Sequence, residues 1–172
     1  MNADDIRIEV VTDLADAPGW IDMQRDYLIY AVERHQEVTG QHIDPEEQLG
    51  HTADRIDAFL GQDGRFIVAK SSDGALVGMV LLHRLANGKG EVKRLFVLPE
   101  ARRLGLAKRL MDRLETEARD MNIPALYLDT SSGLLPAINF YKSLGFTDAP
   151  FDPTSVQDPD IARHLVIMEK TL

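Results

Sequence analysis

RRLGLAKRL, residues 102–110, stands between EVKRLFVLP, which reads as a strand, and a strongly periodic helical pattern. How this junction is read decides the fold. The stretch holds one glycine, Gly105, and no Gly-Lys followed by Ser or Thr, so it is neither a Walker loop nor a three-glycine dinucleotide turn. A helix start nevertheless exposes unpaired backbone N–H groups and the positive end of the helix dipole. With Gly105 letting the backbone come close, successive amides can meet a phosphate or pyrophosphate, and Arg102, Arg103 and Lys108 add charge. A plain strand–helix corner with solvent-facing arginines fits the same residues, and the stretch alone does not separate the two readings.

Downstream, Ala107, Leu110, Met111, Leu114, Ala118 and Met121 recur at steps of three and four, the signature of an amphipathic helix that Pro124 stops. ALYLDTS then reads as a strand, and PAINFYKSLGF as a short helix with Pro136 at its start and Gly145 as its C-cap. The remainder reads as one or two strands separated by the polar loop DPTSVQDPD.

Upstream, RFIVAK and ALVGMVLLHRL are strands joined by SSDG, which has the turn chemistry of a hairpin, and ANGKG turns the chain into the fourth strand. Hairpins in succession argue against a doubly wound parallel sheet. Further back, Trp20, Met23, Tyr27, Ala31 and Val38 mark a helix. A second helix starts at DPEE, with Asp44 as N-cap, Pro45 at the first position and Glu47 closing a capping box; its stripe is Leu49, Ala53, Ile56 and Leu60. IRIEVV alternates as a half-buried first strand.

The bulk numbers narrow the function. The chain has 172 residues, 44% apolar and 27% charged, enough for one domain with a core. No apolar run approaches the roughly 20 residues of a membrane span, and the acidic MNADDIRIEV does not read as a signal peptide. The absence of cysteine excludes disulfides and thiolate chemistry and fits a cytoplasmic protein. A net charge of −9 counts against nucleic-acid binding and suits a cationic small molecule. Against that background Arg94, Arg102, Arg103, Lys108, Arg109 and Arg113 crowd together, which suggests a small anionic ligand. The histidines, His35, His42, His51, His83 and His164, show no metal-ligand spacing and read as scattered surface or core residues; no metal is expected.

Arg102-x-x-Gly105-x-Ala107 closely matches the Q/R-x-x-G-x-G/A signature of the GNAT superfamily of N-acetyltransferases, following a strand ending in Val97 with Pro99 two residues on, as that family has it. One helix and one strand later, AINFYKSLGF resembles the family's second signature, an aliphatic–aromatic helix ending in Tyr-x-x-x-Gly-Phe. The ordered pair covers roughly residues 90–147. The resemblance implies an α/β domain of the α+β type: a mixed, mostly antiparallel sheet of about seven strands flanked by helices, splayed between strands 4 and 5. One domain, 1–172, is expected, with a coenzyme-binding core at about 90–147; the helices at about 20–60 and the loop at 149–163 would shape the acceptor site.

By the same resemblance acetyl-CoA is the co-substrate, its pantetheine arm paired to Leu95, Phe96 and Val97 and its pyrophosphate on the amides of Arg103, Leu104, Gly105, Leu106, Ala107 and Lys108, next to Arg102. Asn139 would reach the coenzyme or face solvent. Tyr141 matches the family's general acid. Two carboxylates match base positions of different branches: Glu91, six residues before Val97, and Asp129, twelve before Tyr141. Each also has a structural reading, Glu91 as the partner of Lys93 or an arginine and Asp129 as a strand-end residue, and water relays serve in some relatives. Strand alternation puts Glu91, Lys93, Leu95 and Val97 on one side unless a bulge intervenes. Where some branches carry a coenzyme-binding asparagine, seven residues before the tyrosine, this chain has Leu134. The implied activity is acetyl transfer to a primary amine of a small-molecule or amino-acid-like acceptor. The alternatives are a protein lysine or N-terminus as acceptor, or a non-catalytic CoA-binding module. A homodimer is compatible with the family, and Asp152, Asp158 and Asp160 would flank an amine-attracting cleft.

Overall fold

The alternating IRIEVV segment becomes β1 (Arg7–Val11), the first edge of a sheet whose middle is built by hairpins. β2 (Gly64–Lys70) and β3 (Leu76–Arg84) are joined across SSDG, where the Ser71 amide donates to the Ala75 carbonyl at 3.0 Å. β4 (Gly90–Val97) follows the ANGKG turn, closed by the Leu85 amide on the Lys89 carbonyl at 2.8 Å. β5 (Ala125–Ser131), the two-residue β6 (Thr147–Asp148) and β7 (Leu165–Thr171) complete seven strands in the order β1-β2-β3-β4-β5-β7-β6. Every neighbouring pair is antiparallel except β4–β5. This is a computed structural model, and it describes residues 2–155 and 164–172.

Both faces of the sheet are covered, so its central strands are apolar on both sides. Phe66, Val68, Met79 and Leu81 point to one face, where they meet Met23 of α1 (Trp20–Thr39) and, beyond α2 (Pro45–Ala53), Phe59 of α3 (Asp57–Leu60). Ile67, Ala69, Val80 and Leu82 point to the other, against Leu106, Leu110, Met111, Leu114 and Ala118 of α4 (Leu106–Asp120). α5 (Leu135–Ser143) adds Tyr141 to that second cluster. The α4 stripe is the expected one, except that Leu106 rather than Ala107 is its first buried residue.

Three local expectations are corrected. Val38 is 54% exposed, and α1 instead buries Met23, Gln24, Leu28 and His35, a stripe with two polar members that an apolar count passes over. The second predicted helix is two. Asp44 accepts from the Glu46 amide at 2.9 Å and α2 begins as expected, without a return bond to Glu47 among the described residues. After Ala53 the bonds tighten to i→i−3, Arg55 to Thr52 and Ile56 to Ala53, and the change of pitch carries Ile56 and Phe59 inward while Leu60 is left half-buried. Gly64 is required just beyond, because a Cβ there would lie 2.0 Å from the Ala58 carbonyl.

The third correction concerns β4. Met79 pairs with Phe96 but Leu81 pairs with Lys93, so two steps along β3 match three along β4. The extra residue is a bulge, and Arg94 takes a left-handed φ of 59° within it. The alternation therefore changes phase. Val92, Leu95 and Val97 share the α4 face, whereas Glu91 pairs with His83, which packs edge-on to Phe59 on the face where Phe96 also lies.

Candidate active site

β4 and β5 are hydrogen-bonded only at their first residues, Gly90 with Leu126 and Glu91 with Tyr127. Beyond that point they part. The bulge and the following residues form one wall of the resulting recess, about 100 Å³ in volume, and Asp129 and Thr130 of β5 form the other; Tyr27 and Tyr141 close it from α1 and α5. A second recess adjoins it on the side of α1 and α2, sharing Tyr27, Arg94 and Asp129 and adding His35 and Ser131.

The parted end of β4 leads straight into the junction quoted first. Pro99–Ala101 makes one 3₁₀ turn, after which Arg103 and Gly105 hold φ of 65° and 72° with Leu104 between them. Residues of opposite hand in succession make the concave backbone that suits an anion. The Arg109 amide already bonds the Gly105 carbonyl, so the amides of Leu106, Ala107 and Lys108 are those without an intrahelical acceptor. No side chain caps this helix and its first turn has no acid. A Cβ at Gly105 would meet nothing within 4 Å, so glycine is needed here for its left-handed φ rather than for room.

The cationic cluster seen in sequence is largely dispersed by the fold. Arg109 donates to the carbonyls of Ala3 and Ile6 at 2.8 and 2.6 Å, Arg113 pairs with Glu117 at 2.9 Å, and Lys108 pairs with Asp112 at 2.7 Å. Arg102 turns back, its Nε donating to the Val97 carbonyl at 3.2 Å, with its guanidinium over the Tyr30 ring. The anion-binding character of the corner thus resides mainly in its backbone.

Glu91 is fully buried and fully engaged. His83 Nε2 donates to one carboxylate oxygen at 2.6 Å; Ser155 Oγ donates to the other at 2.6 Å, with Lys93 Nζ 3.1 Å away. Burial pushes its pKa up, but the His83 hydrogen bond, the Lys93 charge and the Ser155 hydroxyl outweigh it and hold the group at about 2. His83 and Ser155 are partners of Glu91 that the sequence reading missed. Counting outward from the ANGKG turn would have placed His83 opposite Glu91, since the two are register partners; nothing local points to Ser155.

Lys93 also lies 3.8 Å from Asp129, whose side chain is partly accessible in the recess. Tyr141 is buried; burial first, then Tyr27 and Asp129, push its phenol well above the ordinary value of 10.0. Leu95, Phe96 and Val97 form the β4 wall past the bulge, and Asn139 is on the exposed side of α5. Asp152 accepts from Asn87 at 2.5 Å and from the Thr154 hydroxyl at 2.6 Å, so its carboxylate pins the loop after β6 to the sheet; Asp158 and Asp160 lie outside the described residues.

A mixed sheet parts at its one parallel pair, and its bulged strand runs into an uncapped helix start, so an open cleft adjoins a backbone turn suited to an anion. The sequence matches the Acetyltransferase (GNAT) family over residues 21–146, and the chain belongs to that family. It is 42% identical over 93 residues to an IAA acetyltransferase of Azospirillum brasilense, a match spanning 53% of this chain and 60% of that protein. An uncharacterized N-acetyltransferase of Schizosaccharomyces pombe is 32% identical over 124 residues, covering 71% and 73% of the two chains. Among solved structures, the PaiA N-acetyltransferase from Thermoplasma acidophilum in complex with coenzyme A superposes with a TM-score of 0.73 at 20% identity, over 97% of this chain and 99% of that one. No helix among the described residues is long and apolar enough to cross a membrane.

Proposed function

We propose that the chain moves an acetyl group from acetyl-CoA to a primary amine of a small-molecule or amino-acid-like acceptor by direct attack. The observation that carries this reading is the recess between β4 and β5, which has Tyr141 at its base and the uncapped start of α4 beyond its open end. Leu95, Phe96 and Val97 would pair with the pantetheine arm, and the amides of residues 103–108 would hold the pyrophosphate, as the opposite-handed backbone at Arg103 and Gly105 supports. Arg102 would then exchange its bond to the Val97 carbonyl for the coenzyme.

The amine attacks the thioester carbonyl, forming the N–C bond as the C–S bond breaks. The amine's proton goes to Asp129, which lines both recesses, directly or through water. Glu91, sealed from the recess and held at about 2, keeps Lys93 in place beside Asp129. Tyr141 donates to the departing sulfur. A phenol so desolvated gives up its proton only to a thiolate desolvated in the same recess, and its hydrogen bond stabilises that sulfur in any case.

The test is calorimetric binding of acetyl-CoA followed by thiol release with a panel of amines and of peptides with free N-termini or lysines. Tight coenzyme binding with turnover of small amines is expected. Weak coenzyme binding would sink the reading, turnover of peptides alone would move the acceptor to proteins, and binding without any turnover would make the chain a CoA-binding module.

A further inference from the structure

Unlike Arg102 and Arg109, whose guanidinium groups donate to backbone carbonyls, Arg94 keeps a donor unmet by the described residues. Among the described residues no carboxylate lies within ion-pair distance of it, although the chain carries 28 acidic residues against 19 basic ones. Among the described residues its guanidinium has one hydrogen bond, Nη2 to the Thr52 hydroxyl at 3.0 Å, and it rests over the Tyr27 ring at 5.4 Å. Its Nε is buried with no acceptor among the described residues. A donor withdrawn from water without a partner costs stability. So does the left-handed φ of 59° that this non-glycine residue adopts. Two local costs at one residue, beside a cleft, mark a position kept for function rather than for stability.

The position says which ligand. Arg94 is the bulged residue of β4, and a bulge re-aims a side chain. It borders both the β4–β5 recess and the adjoining one between α1, α2 and β5. Asp129 borders the same two. Tyr27 and Thr52 hold the guanidinium from α1 and α2, so its open donors form a planar fork at the junction. That fork matches a carboxylate.

We propose that Arg94 recognises a carboxylate on the acceptor, which is therefore an aminocarboxylic acid rather than a simple cationic amine. The inference rests on the transferase reading above. The carboxylate seats on the Nη groups of Arg94, since Nε lies too deep to be reached, and the amine of the same molecule lies toward Asp129. The two opposite charges at the mouth of the cleft thus select a zwitterion, and a polyamine, with no group for Arg94, is disfavoured.

The experiment compares three matched sets in thiol-release assays with acetyl-CoA: free α- and β-amino acids, their carboxamides, and the corresponding decarboxylated amines. The carboxamide is the less basic amine and the decarboxylated compound the more basic, so together they separate carboxylate recognition from amine basicity. The free acids are expected to win in kcat/KM by about tenfold or more, the loss typical of a charged hydrogen bond. Arg94→Gln should raise KM for the acid by a similar factor while leaving the acetyl-CoA dissociation constant unchanged, and should erase the difference between acid and carboxamide. Arg94→Lys should recover part of it. Equal turnover of all three sets by the wild type, or preference for the decarboxylated amines, overturns the assignment and leaves the transferase reading standing; this comparison needs no variant to fold. An Arg94→Gln defect confined to acetyl-CoA binding overturns it too, by giving the guanidinium to the coenzyme. Tight coenzyme binding with no turnover of any set overturns both.

Discussion

Tyr141 shows how much a single residue's burial settles. A tyrosine in a helix with Phe140 beside it could simply pack, and it does: its ring meets Phe146 at 5.6 Å and Phe140 at 5.7 Å. Its environment also keeps the phenol protonated across the working range, because burial, Tyr27 and Asp129 all raise its pKa. Tyr141→Phe keeps the ring packing and removes only the hydroxyl. If the hydroxyl serves the leaving sulfur, kcat should fall by about 10²-fold or more with KM for acetyl-CoA little changed, as for other general acids. Because the wild-type phenol titrates well above its ordinary value, no descending limb near 10 in the pH–rate profile should belong to it. A stopped assay on the two proteins at several pH values decides; equal rates would leave Tyr141 a packing residue.

At the scale of elements, α4 carries both the stability and the candidate anion site, and it separates them along its length. Its first turn is left uncapped, while its inner stripe of Leu110, Met111 and Leu114 has no exposure at all and meets β2 and β3. Leu114→Ala should therefore cost about 2–5 kcal/mol, the usual range for a buried leucine, and urea unfolding measures it. Acetyl-CoA affinity of the folded fraction should barely change, since Leu114 lies two turns from the free amides. A stability loss near zero would mean that the stripe repacks or is less well enclosed than its burial implies. β4 divides its roles in the same way: its first residues hold the sheet together, and past the bulge it faces the recess.

For the whole molecule, the Glu91 cluster ties together parts distant in sequence: His83 on β3, Lys93 on β4 and Ser155 in the loop after β6. The pKa of Glu91 is lowered from 4.5 to about 2 on folding, so its ionised form stabilises the fold. That contribution is complete above 4.5 and is lost as pH falls through about 2. Glu91→Gln should lower stability at neutral pH, and the gap to the wild type should narrow as pH drops across that window; urea midpoints at successive pH values read it directly. A constant gap would show that the carboxylate's charge contributes nothing beyond its shape. Much of this architecture was legible beforehand: the strands of the two middle hairpins, the start and stripe of α4, and the helix ending at Gly145 all follow patterns set within a few residues. The α2–α3 break, the inward turn of His35 and the phase change at Arg94 were not, because each is imposed by a packing partner far along the chain.

By itself, the sequence determined what local chemistry can specify. Periodicity chose strand or helix, Gly105 allowed a left-handed residue at the mouth of α4, and two spaced motifs identified the family. Tertiary structure alone decided which charges remain available for a ligand. Of six clustered cations, Arg109 is engaged by the distant carbonyls of Ala3 and Ile6 and Arg94 is turned into the cleft by a bulge, whereas Lys108 and Arg113 meet acids four residues on in the same helix, a pairing the sequence itself offers. It likewise withdrew Glu91 behind three partners and left Asp129 at the recess. The physical reason is that a side chain's charge has meaning only through what lies within a few ångströms of it, and those neighbours are supplied by strand register and helix packing rather than by adjacency in the chain.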